Sequence, residues 1–371
     1  MGKRILITGG AGFIGSHVAD LLLASGYEVR VLDNLTPQVH GPNAQRPTYL
    51  SSDAELTVGD IRDRDSVEQA LTGVDGVIHL AASVGVGQSM YDIVSYVDVN
   101  EAGTAVLLEA LSRRPVERLV VASSMSIYGE GLARRADGGT VDPEPRTTEQ
   151  MRRGQWELLD RNVSLDPMPT PESKPSSLSS VYALNKYAQE QMALIVGKAY
   201  GIDTVALRFF NVYGPRQALS NPYTGVLAIF GARLINNRPP LVFEDGLQRR
   251  DFVHVRDVAQ AVKLAFETTR GIGRTYNIGS GVSRTILSLA EDLARIVGKP
   301  QIVPHITGKY RVGDIRHCFA DISLSRSELG FAPAVDFQDG LAELAEWLSG
   351  QVAEDGVDRA TAELERRGLV A

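Results

Sequence analysis

Short apolar runs alternate with segments of helical periodicity over the first 125 residues of the chain. The apolar runs predict strands at residues 5–8, 29–32, 76–80 and 118–123, and the periodic segments predict helices at residues 13–25, 65–71 and 100–113. Strands that alternate with helices and tight glycine turns indicate repeated βα units. We therefore expect an α/β fold whose main layer is a doubly wound parallel sheet (Rossmann), with ligands at the carboxyl ends of its strands.

The pattern changes twice further along the chain. Residues 130–177 are rich in Pro, Gly, Arg and Asp, with no helical period longer than residues 148–159, and are interpreted as an insertion that covers a site or forms a partner surface. A helix from about residue 181 and a strand at 204–210 resume the first pattern, and irregular sequence follows Asn211. We predict a cofactor domain at 1–210, a smaller C-terminal α/β substrate lobe at 211–350, and a charged helical tail at 351–371. One candidate arrangement is that a strand near residues 251–255 pairs with the main sheet again. For the helix at 353–369 we expect no purpose beyond solvation or self-association.

Composition narrows the classes of function. The 371 residues suit two lobes, and the net charge of −7 carries no basic tract that would suit a nucleic-acid backbone. No segment approaches the length of a membrane span, and the single cysteine, Cys318, excludes an internal disulfide and a cysteine-cluster metal site. These features predict a cytoplasmic protein.

The turn after the first strand carries Gly9, Gly12 and Gly15. Glycines at such a turn let backbone N–H groups and a helix N-terminus approach a pyrophosphate. Asp33, at the end of the second strand, could accept hydrogen bonds from an adenosine ribose and repel a 2′-phosphate, which favours NAD over NADP. The alternative is an ordinary glycine turn with Asp33 as a solvated loop acid.

A second group of residues suggests chemistry on an alcohol. Tyr182 and Lys186 are four residues apart and share one face of a predicted helix, and Ser124 ends the strand before the insertion. A phenol with a pKa of about 10 becomes a base when an ammonium and a nicotinium ring stabilise its anion. The alternatives are an amphipathic surface pair and a serine that only caps a turn.

With these motifs the chain resembles the extended short-chain dehydrogenase/reductase family, within it the nucleotide-sugar epimerases, dehydratases and decarboxylases. The segments that carry the resemblance are Gly9 to Gly15, Asp60-Ile61, Ser124, Tyr182 with Lys186, and the stretches 208–215 and 250–255. The resemblance implies NAD contacts at Gly9, Gly12, Phe13, Ile14, Gly15, Asp33, Asn34, Asp60, Ile61, Leu80, Ala81, Ala82, Asn100, Tyr182, Lys186 and Phe209. It implies substrate contacts at Gln88, Ser124, Ser126, Asn211, Gln248, Arg250, Arg311 and Asp314. Of these, Asn211 and Arg250 would contact the diphosphate of a sugar nucleotide, and Gln248, Arg311 and Asp314 its nucleoside end. It also implies a homodimer through the helices at 100–113 and 185–198.

The residues after Ser124 separate the reactions of the family. The resemblance implies an Asp-Glu pair there in 4,6-dehydratases and a Glu in decarboxylases, whereas this chain has Met125 and Ser126. Neither can act as a carboxylate acid or base, which favours epimerisation. The stretches 84–89 and 313–317 resemble the branch of dTDP-L-rhamnose 4-epimerases and related enzymes of deoxysugar biosynthesis. In some relatives paired cysteines in the insertion suggest a zinc ribbon, but this insertion has no cysteine, so no metal is expected. The alternatives are a decarboxylase or dehydratase with a displaced carboxylate, such as Glu130 or one in the insertion, and a non-catalytic NAD-binding sensor.

Overall fold

The computed structural model describes residues 2–41, 45–219, 221, 225–351 and 356–371. Its strands are β1 Arg4–Thr8, β2 Glu28–Asp33, β3 Glu55–Val58, β4 Gly76–His79, β5 Arg118–Ser124, β6 Ala133–Arg134, β7 Thr140–Val141, β8 Leu159–Asp160, β9 Val163–Ser164, β10 Asp166–Pro167, β11 Asp203–Phe209, β12 Asn211–Tyr213, β13 Leu241–Val242, β14 Arg249–His254, β15 Arg274–Ile278, β16 Ser283–Thr285, β17 His305–Ile306 and β18 His317–Cys318.

Helices connect most of these strands. They are α1 Phe13–Ala24, α2 Pro37–His40, α3 Arg64–Ala70, α4 Val86–Ser89, α5 Ile93–Val97, α6 Gly103–Arg113, α7 Thr148–Arg152, α8 Val181–Tyr200, α9 Val226–Ile235, α10 Val255–Glu267, α11 Ile286–Ile296, α12 Ser323–Leu329, α13 Phe337–Ser349 and α14 Val357–Arg366. A π-helical turn at Asp98–Ala102 precedes α6, and a 3₁₀ turn at Met125–Tyr128 follows β5.

A seven-stranded parallel sheet with the order β15-β11-β5-β4-β1-β2-β3 forms the main layer, which confirms the predicted fold class. The chain builds β1 to β3 toward one edge and then returns to place β4 on the other side of β1. A crevice opens at the carboxyl ends of strands where the strand order reverses in this way. The turns after β1 and β4 therefore meet at the expected ligand site.

Alternating side chains of the central strands fill two apolar cores. On one face Ile5 and Ile7 pack with Val18 of α1 and Val262 of α10. On the other face Leu6 packs with residues of α3, α6 and α8, among them Val67, Leu107 and Ala193. A parallel sheet covered on both faces explains why its strands read as continuous apolar runs.

The second lobe has its own sheet, in which β14 lies between β12 and β16 and also pairs with β18. The predicted return of the strand near residue 251 to the main sheet is therefore wrong. The strand that returns is Arg274–Ile278, which pairs with Asp203–Phe209. The polar first half of β14, Arg249 to Asp251, would be costly inside a sheet that is buried on both faces.

The insertion contains more structure than its sequence pattern predicts. It forms the three-stranded sheet β10-β6-β7, the β8-β9 pair and the helix α7. The helix allowed at residues 148–159 ends at Arg152, because Gly154 follows with a φ of 68° and turns the chain away. A buried ion network then joins the insertion to the second lobe: Arg146 and Arg316 both contact the Glu244 carboxylate, at 2.8 and 2.9 Å.

The tail helix α14 packs across both lobes, so the expectation that it serves only solvation or self-association is wrong. Its Asp358 pairs with Arg233 and Arg238 at 2.8 and 3.1 Å, and a Cβ on Gly87 would lie 3.4 Å from Leu364. The N–H of Val312 donates to the carbonyl of Leu369 at 3.0 Å. The predicted start of this helix, 353–355, lies outside the described residues. Across the described ranges, no helix has the length and apolar character needed to cross a membrane.

Candidate active site

The turn between β1 and α1 requires glycine at two positions. Gly9 has a φ of 71°, and a Cβ there would lie 2.8 Å from the backbone nitrogen of Ala81. A Cβ on Gly15 would overlap the carbonyl oxygen of Gly9. Gly12 is the N-cap of α1. Because Gly12 has no side chain, none covers the backbone N–H groups of the first turn, which includes Phe13 and Ile14. This turn is a cradle of backbone N–H groups at a helix N-terminus, which suits a pyrophosphate.

Asp33 faces this turn rather than open solvent. Its carboxylate accepts the N–H of Ala11 at 3.0 Å and the N–H of Leu35 at 2.9 Å. An acid held here can meet the hydroxyls of a ribose attached to a pyrophosphate in the cradle. The position does not support the alternative of a solvated loop acid.

Asp60 and Asn34 lie together at the ends of β3 and β2. Asn34 donates to the Asp60 carboxylate at 3.2 Å, and Arg62 does so at 2.8 and 2.7 Å. The Arg62 hydrogen bond lowers the pKa of Asp60 to about 2, despite partial burial. The Asp60 carboxylate is thus used in hydrogen bonds to Asn34 and Arg62. The backbone of Asp60 and Ile61 would therefore make any contact to adenine.

The segment after β4 closes the other wall of the cradle. Leu80 and Ala81 lie against Gly9, and the Leu80 N–H bonds the Thr8 carbonyl at 3.0 Å. Ala82 follows, and Asn100 holds the next residue, Ser83, through both of its amide atoms at 2.7 and 3.0 Å. Asn100 therefore fixes this segment, which is a structural contact that the sequence did not predict.

Ser124 ends β5 and lies in register with Phe209 of β11. Its hydroxyl oxygen accepts the Ser126 N–H at 3.2 Å and the Ser126 O–H at 2.9 Å, so it caps the 3₁₀ turn. The same hydroxyl lies close enough to the Tyr182 phenol to lower its pKa through a hydrogen bond. The turn cap of the alternative interpretation is therefore present, and it leaves the hydroxyl beside Tyr182.

Tyr182 and Lys186 lie on the first turns of α8. The Ser180 hydroxyl caps this helix by accepting the Ala183 N–H, and the Tyr182 N–H donates to Ser89 Oγ at 3.0 Å. Burial raises the pKa of Tyr182 to about 12, which the hydrogen bond with Ser124 opposes. Burial lowers the pKa of Lys186 to about 7, which Glu190 opposes. Burial thus disfavours the charged form of both groups, and their opposite charges would stabilise each other.

Two residues predicted for the nucleoside end of a substrate converge on Phe243. Gln248 donates to the Phe243 carbonyl at 2.9 Å, and the Arg311 guanidinium lies over the Phe243 ring at 4.4 Å. Gln248 Oε1 and Arg311 Nε are buried without a hydrogen-bond partner in the described structure. Buried polar atoms of this kind are usually satisfied by water or a ligand. Phe243 was not among the predicted site residues. The available signal was an aromatic residue five positions before Gln248.

The remaining predicted substrate residues are placed differently. Arg250 donates to the carbonyls of Arg249, Ile315 and Arg316 and lies 3.6 Å from Asp314, so its guanidinium faces this segment. Gln88 hydrogen-bonds Gln38 at 2.8 Å, and Asn211 begins β12 opposite Phe252. The structure joins Arg250 to Asp314 and leaves Gln88 on the cofactor-domain side of the cleft.

Comparisons with known proteins agree with this architecture. Residues 5–150 and 164–279 match the model of the NAD dependent epimerase/dehydratase family. The chain is 36% identical to dTDP-L-rhamnose 4-epimerase of Burkholderia thailandensis, over 95% of this chain and 96% of that protein. It is 33% identical to a dTDP-glucose 4,6-dehydratase of Streptomyces niveus, over 93% and 92%.

A solved structure extends the likeness to three dimensions. The chain matches UDP-glucose 4-epimerase of Thermus thermophilus, solved in complex with NAD, with a TM-score of 0.75 and 32% identity over 94% of this chain and 100% of that chain. The chain belongs to the NAD-dependent epimerase/dehydratase family, and NAD is its cofactor.

Proposed function

We propose that the protein is a 4-epimerase of a nucleotide-diphosphate sugar, with a dTDP-6-deoxyhexose as substrate. The observation that carries the proposal is the pair Met125 and Ser126 directly after Ser124. Ser126 donates its hydroxyl to Ser124, and the Met125 side chain is buried. Elimination of water needs a further acid and base at these two positions, whereas epimerisation at C4 needs no proton-transfer group besides Tyr182. The likeness to a dTDP-L-rhamnose 4-epimerase supports the choice of substrate.

Carboxylates of the insertion region are committed to other contacts, which argues against a displaced acid or base. Glu130 accepts the N–H groups of Arg316 and His317, although burial raises its pKa against the effect of Arg146. Glu157 pairs with Arg316 and His317, and Glu172 accepts the Asn277 N–H at 2.7 Å. A non-catalytic sensor would have no need for the hydrogen-bonded Ser124 and Tyr182.

The residues around the cradle fit NAD. Gly9, Gly12 and Gly15 would hold its pyrophosphate, Asp33 its adenosine ribose, and the Leu80 to Ala82 segment would line its path. NAD supplies a hydride acceptor that can later return the hydride to the same carbon. Tyr182 as phenolate removes the proton of the C4 hydroxyl, Ser124 holds that oxygen, and Lys186 stabilises the phenolate. The resulting keto sugar turns over, and Tyr182 returns the proton to the new alcohol.

The substrate lobe would hold the nucleotide part of the sugar nucleotide. Gln248 Oε1 and Arg311 Nε offer an acceptor and a donor that have no partner in the described structure. We assign them, with Asp314, to the nucleoside end. Arg250 would neutralise the diphosphate and Asn211 would donate to it, whereas Gln88 and Ser126 would contact the sugar. Three of the five N–H groups of the Arg250 guanidinium are used on carbonyls, so two N–H groups remain for the diphosphate.

A homodimer through α6 and α8 completes the proposal. Leu184 and Ile195 of α8 are 48% and 64% exposed, and their spacing of about three turns puts them on one face of the helix. A second copy of the chain would cover them.

The test is turnover of a panel of dTDP- and UDP-sugars, followed by ¹H NMR of the products. The proposal predicts that a dTDP-6-deoxyhexose is converted to its C4 epimer and that the mixture reaches the same ratio from either epimer. Release of carbon dioxide would instead identify a decarboxylase, and a 6-deoxy-4-keto product would identify a dehydratase. Absence of turnover on every sugar, with NAD bound, would favour the sensor.

A further inference from the structure

We propose that Gln189 is a positioning residue that holds the Lys186 ammonium in place for Tyr182, through a buried hydrogen-bond chain that begins at the cofactor turn. The proposal rests on the proposed catalytic roles of Tyr182 and Lys186, but not on the identity of the sugar.

The Lys186 ammonium has an amide acceptor where a carboxylate would be expected. Its Nζ donates to Gln189 Oε1 at 2.7 Å, and the residue is 4% exposed. Glu190, four residues after Lys186, turns its carboxylate toward Arg208 at 2.7 Å and Ser123 at 2.6 Å. Gln189 therefore supplies a direct, neutral partner that keeps the ammonium charge available to the phenol.

The orientation of the Gln189 amide is fixed by Thr104. Thr104 Oγ1 lies 2.6 Å from the Asn100 carbonyl, and a carbonyl only accepts, so the hydroxyl proton is used there. Gln189 Nε2 lies 2.7 Å from the same hydroxyl oxygen and must donate to it. The other amide atom, Oε1, is thereby left to face Lys186.

His79 completes the chain. Its Nε2 lies 2.9 Å from Thr104 Oγ1 and 3.3 Å from Gln189 Nε2. Because the Thr104 proton is already committed, we assign the hydrogen to His79 Nε2, which donates to Thr104 at the shorter distance and accepts nothing from Gln189. Its Nδ1 then accepts from the Thr8 hydroxyl at 2.7 Å, and that oxygen accepts the Ala81 N–H at 3.3 Å. A neutral His79 is required, and burial lowers its pKa to about 3. Hydrogen bonds thus run from Ala81, against Gly9, to Gln189 beside Lys186.

Charge at Lys186 responds to this chain. Burial lowers the pKa of Lys186 to about 7, so the ammonium is close to losing its proton at neutral pH. An acceptor on Nζ favours the charged form. Two titratable groups interact with it electrostatically, Glu190 on α8 and His79 on β4, and Tyr182 lies one turn before it on α8. Glu101 is bonded to Asn185, and Arg208 is paired with Glu190.

The test compares Gln189→Met with Gln189→Glu. Methionine keeps the length of the side chain and removes the acceptor, so the pKa of Lys186 falls; glutamate places a carboxylate on the ammonium, so it rises by about 1 to 3 pH units. Activity needs the ammonium, so the alkaline limb of the kcat profile moves down in pH for Gln189→Met and up for Gln189→Glu. We expect kcat of Gln189→Met to fall about tenfold to a hundredfold at pH 8, with KM within about twofold.

A second readout needs no substrate. The chain has seven lysines, so ¹³C NMR of protein labelled at lysine Cε can follow the Lys186 titration directly, with and without NAD. Gln69→Met is the control, since it makes the same replacement at an exposed position of α3 outside the hydrogen-bond chain. It should leave the titration unchanged.

The proposal would be overturned if the pKa of Lys186 shifted equally and in the same direction in Gln189→Met and Gln189→Glu. It would also be overturned if that pKa did not shift in either variant. Thr104→Val separates the proposed effect from a loss of folding. Valine matches threonine in shape, so this variant removes the Thr104 hydroxyl from the chain and keeps the packing. It should lower kcat with a smaller shift than Gln189→Met, and Thr104→Ser should restore it. If the lysine titration moves as expected while no sugar turns over, the proposed reaction fails and the positioning role stands.

Discussion

At the scale of single residues, the site depends on groups whose neighbours fix their orientation. Ser124 is held by the 3₁₀ turn that it caps and contacts Tyr182 with the same oxygen. Tyr182 in turn has its backbone anchored to Ser89 at 3.0 Å. Such double contacts hold reacting groups within the narrow geometry that proton transfer needs.

Tyr182→Phe removes only the phenol hydroxyl, and we expect kcat to fall by at least about a hundredfold, because the proton of the substrate hydroxyl loses its acceptor. NAD binding, measured by calorimetry, should be unchanged. Tyr200→Phe is the control, because it removes the same atom at the far end of the same helix, where Tyr200 is 52% exposed. Full activity in the Tyr182 variant would remove this residue from catalysis.

At the residue scale the sequence predicted identity better than orientation. Spacing predicted that Tyr182 and Lys186 share a helix face, and the expected dinucleotide fold added Ser124 at a strand end, because a strand end and a helix face are local properties. It could not place Arg250, whose guanidinium turns to the carbonyls of Ile315 and Arg316, more than sixty residues away. The Gln189 network was equally hidden, since its members come from four distant segments.

At the scale of elements, the cofactor cradle is set by how closely β1, α1 and the segment after β4 approach. The strand and helix patterns predicted these elements within a few residues. The pairing of β14 was not predictable, since its partners Asn211–Tyr213, Ser283–Thr285 and His317–Cys318 are too short to stand out as strands. Local pattern gives element type, whereas register depends on contacts between distant segments.

Gly15→Ala tests the cradle. The added Cβ would overlap the Gly9 carbonyl, and overpacking of this kind costs about 1 to 3 kcal/mol. If the cost falls on the NAD-binding conformation, the Kd for NAD rises about tenfold or more. Gly350→Ala is the matched control, because its Cβ would lie 3.7 Å from the nearest atom, Trp347 O. An unchanged Kd in Gly15→Ala would show that the turn has room to spare.

At the scale of the whole molecule, the insertion and tail tie the two lobes together. The buried Arg316 joins the insertion through Glu157 to the second lobe through Asp245. The tail helix lies over Gly87 of the cofactor domain and pairs with Arg233 of the second lobe. The sequence of this charged helix contains no local signal for its docking site. For that reason the sequence predicted only solvation or self-association.

Asp358→Asn tests the docking of the tail. The side chain of its partner Arg233 is 6% exposed, so loss of the carboxylate should lower the free energy of unfolding by about 1 kcal/mol. Glu365→Gln breaks the pair with Lys309, whose side chain is 49% exposed, and should cost only about 0.3 kcal/mol. Chemical denaturation of both variants measures the difference, and equal losses would contradict the account.

The central claim is that one carbon of the sugar gives up a hydride and receives it back on the other face. A dTDP-6-deoxyhexose carrying deuterium at C4 tests it most directly, with the product analysed by ²H NMR and mass spectrometry. The account predicts a C4 epimer that retains the deuterium at C4. Loss of the deuterium to solvent, or its retention at C4 with no change of configuration there, would contradict the account, because the first requires proton rather than hydride transfer and the second excludes return of the hydride to the other face.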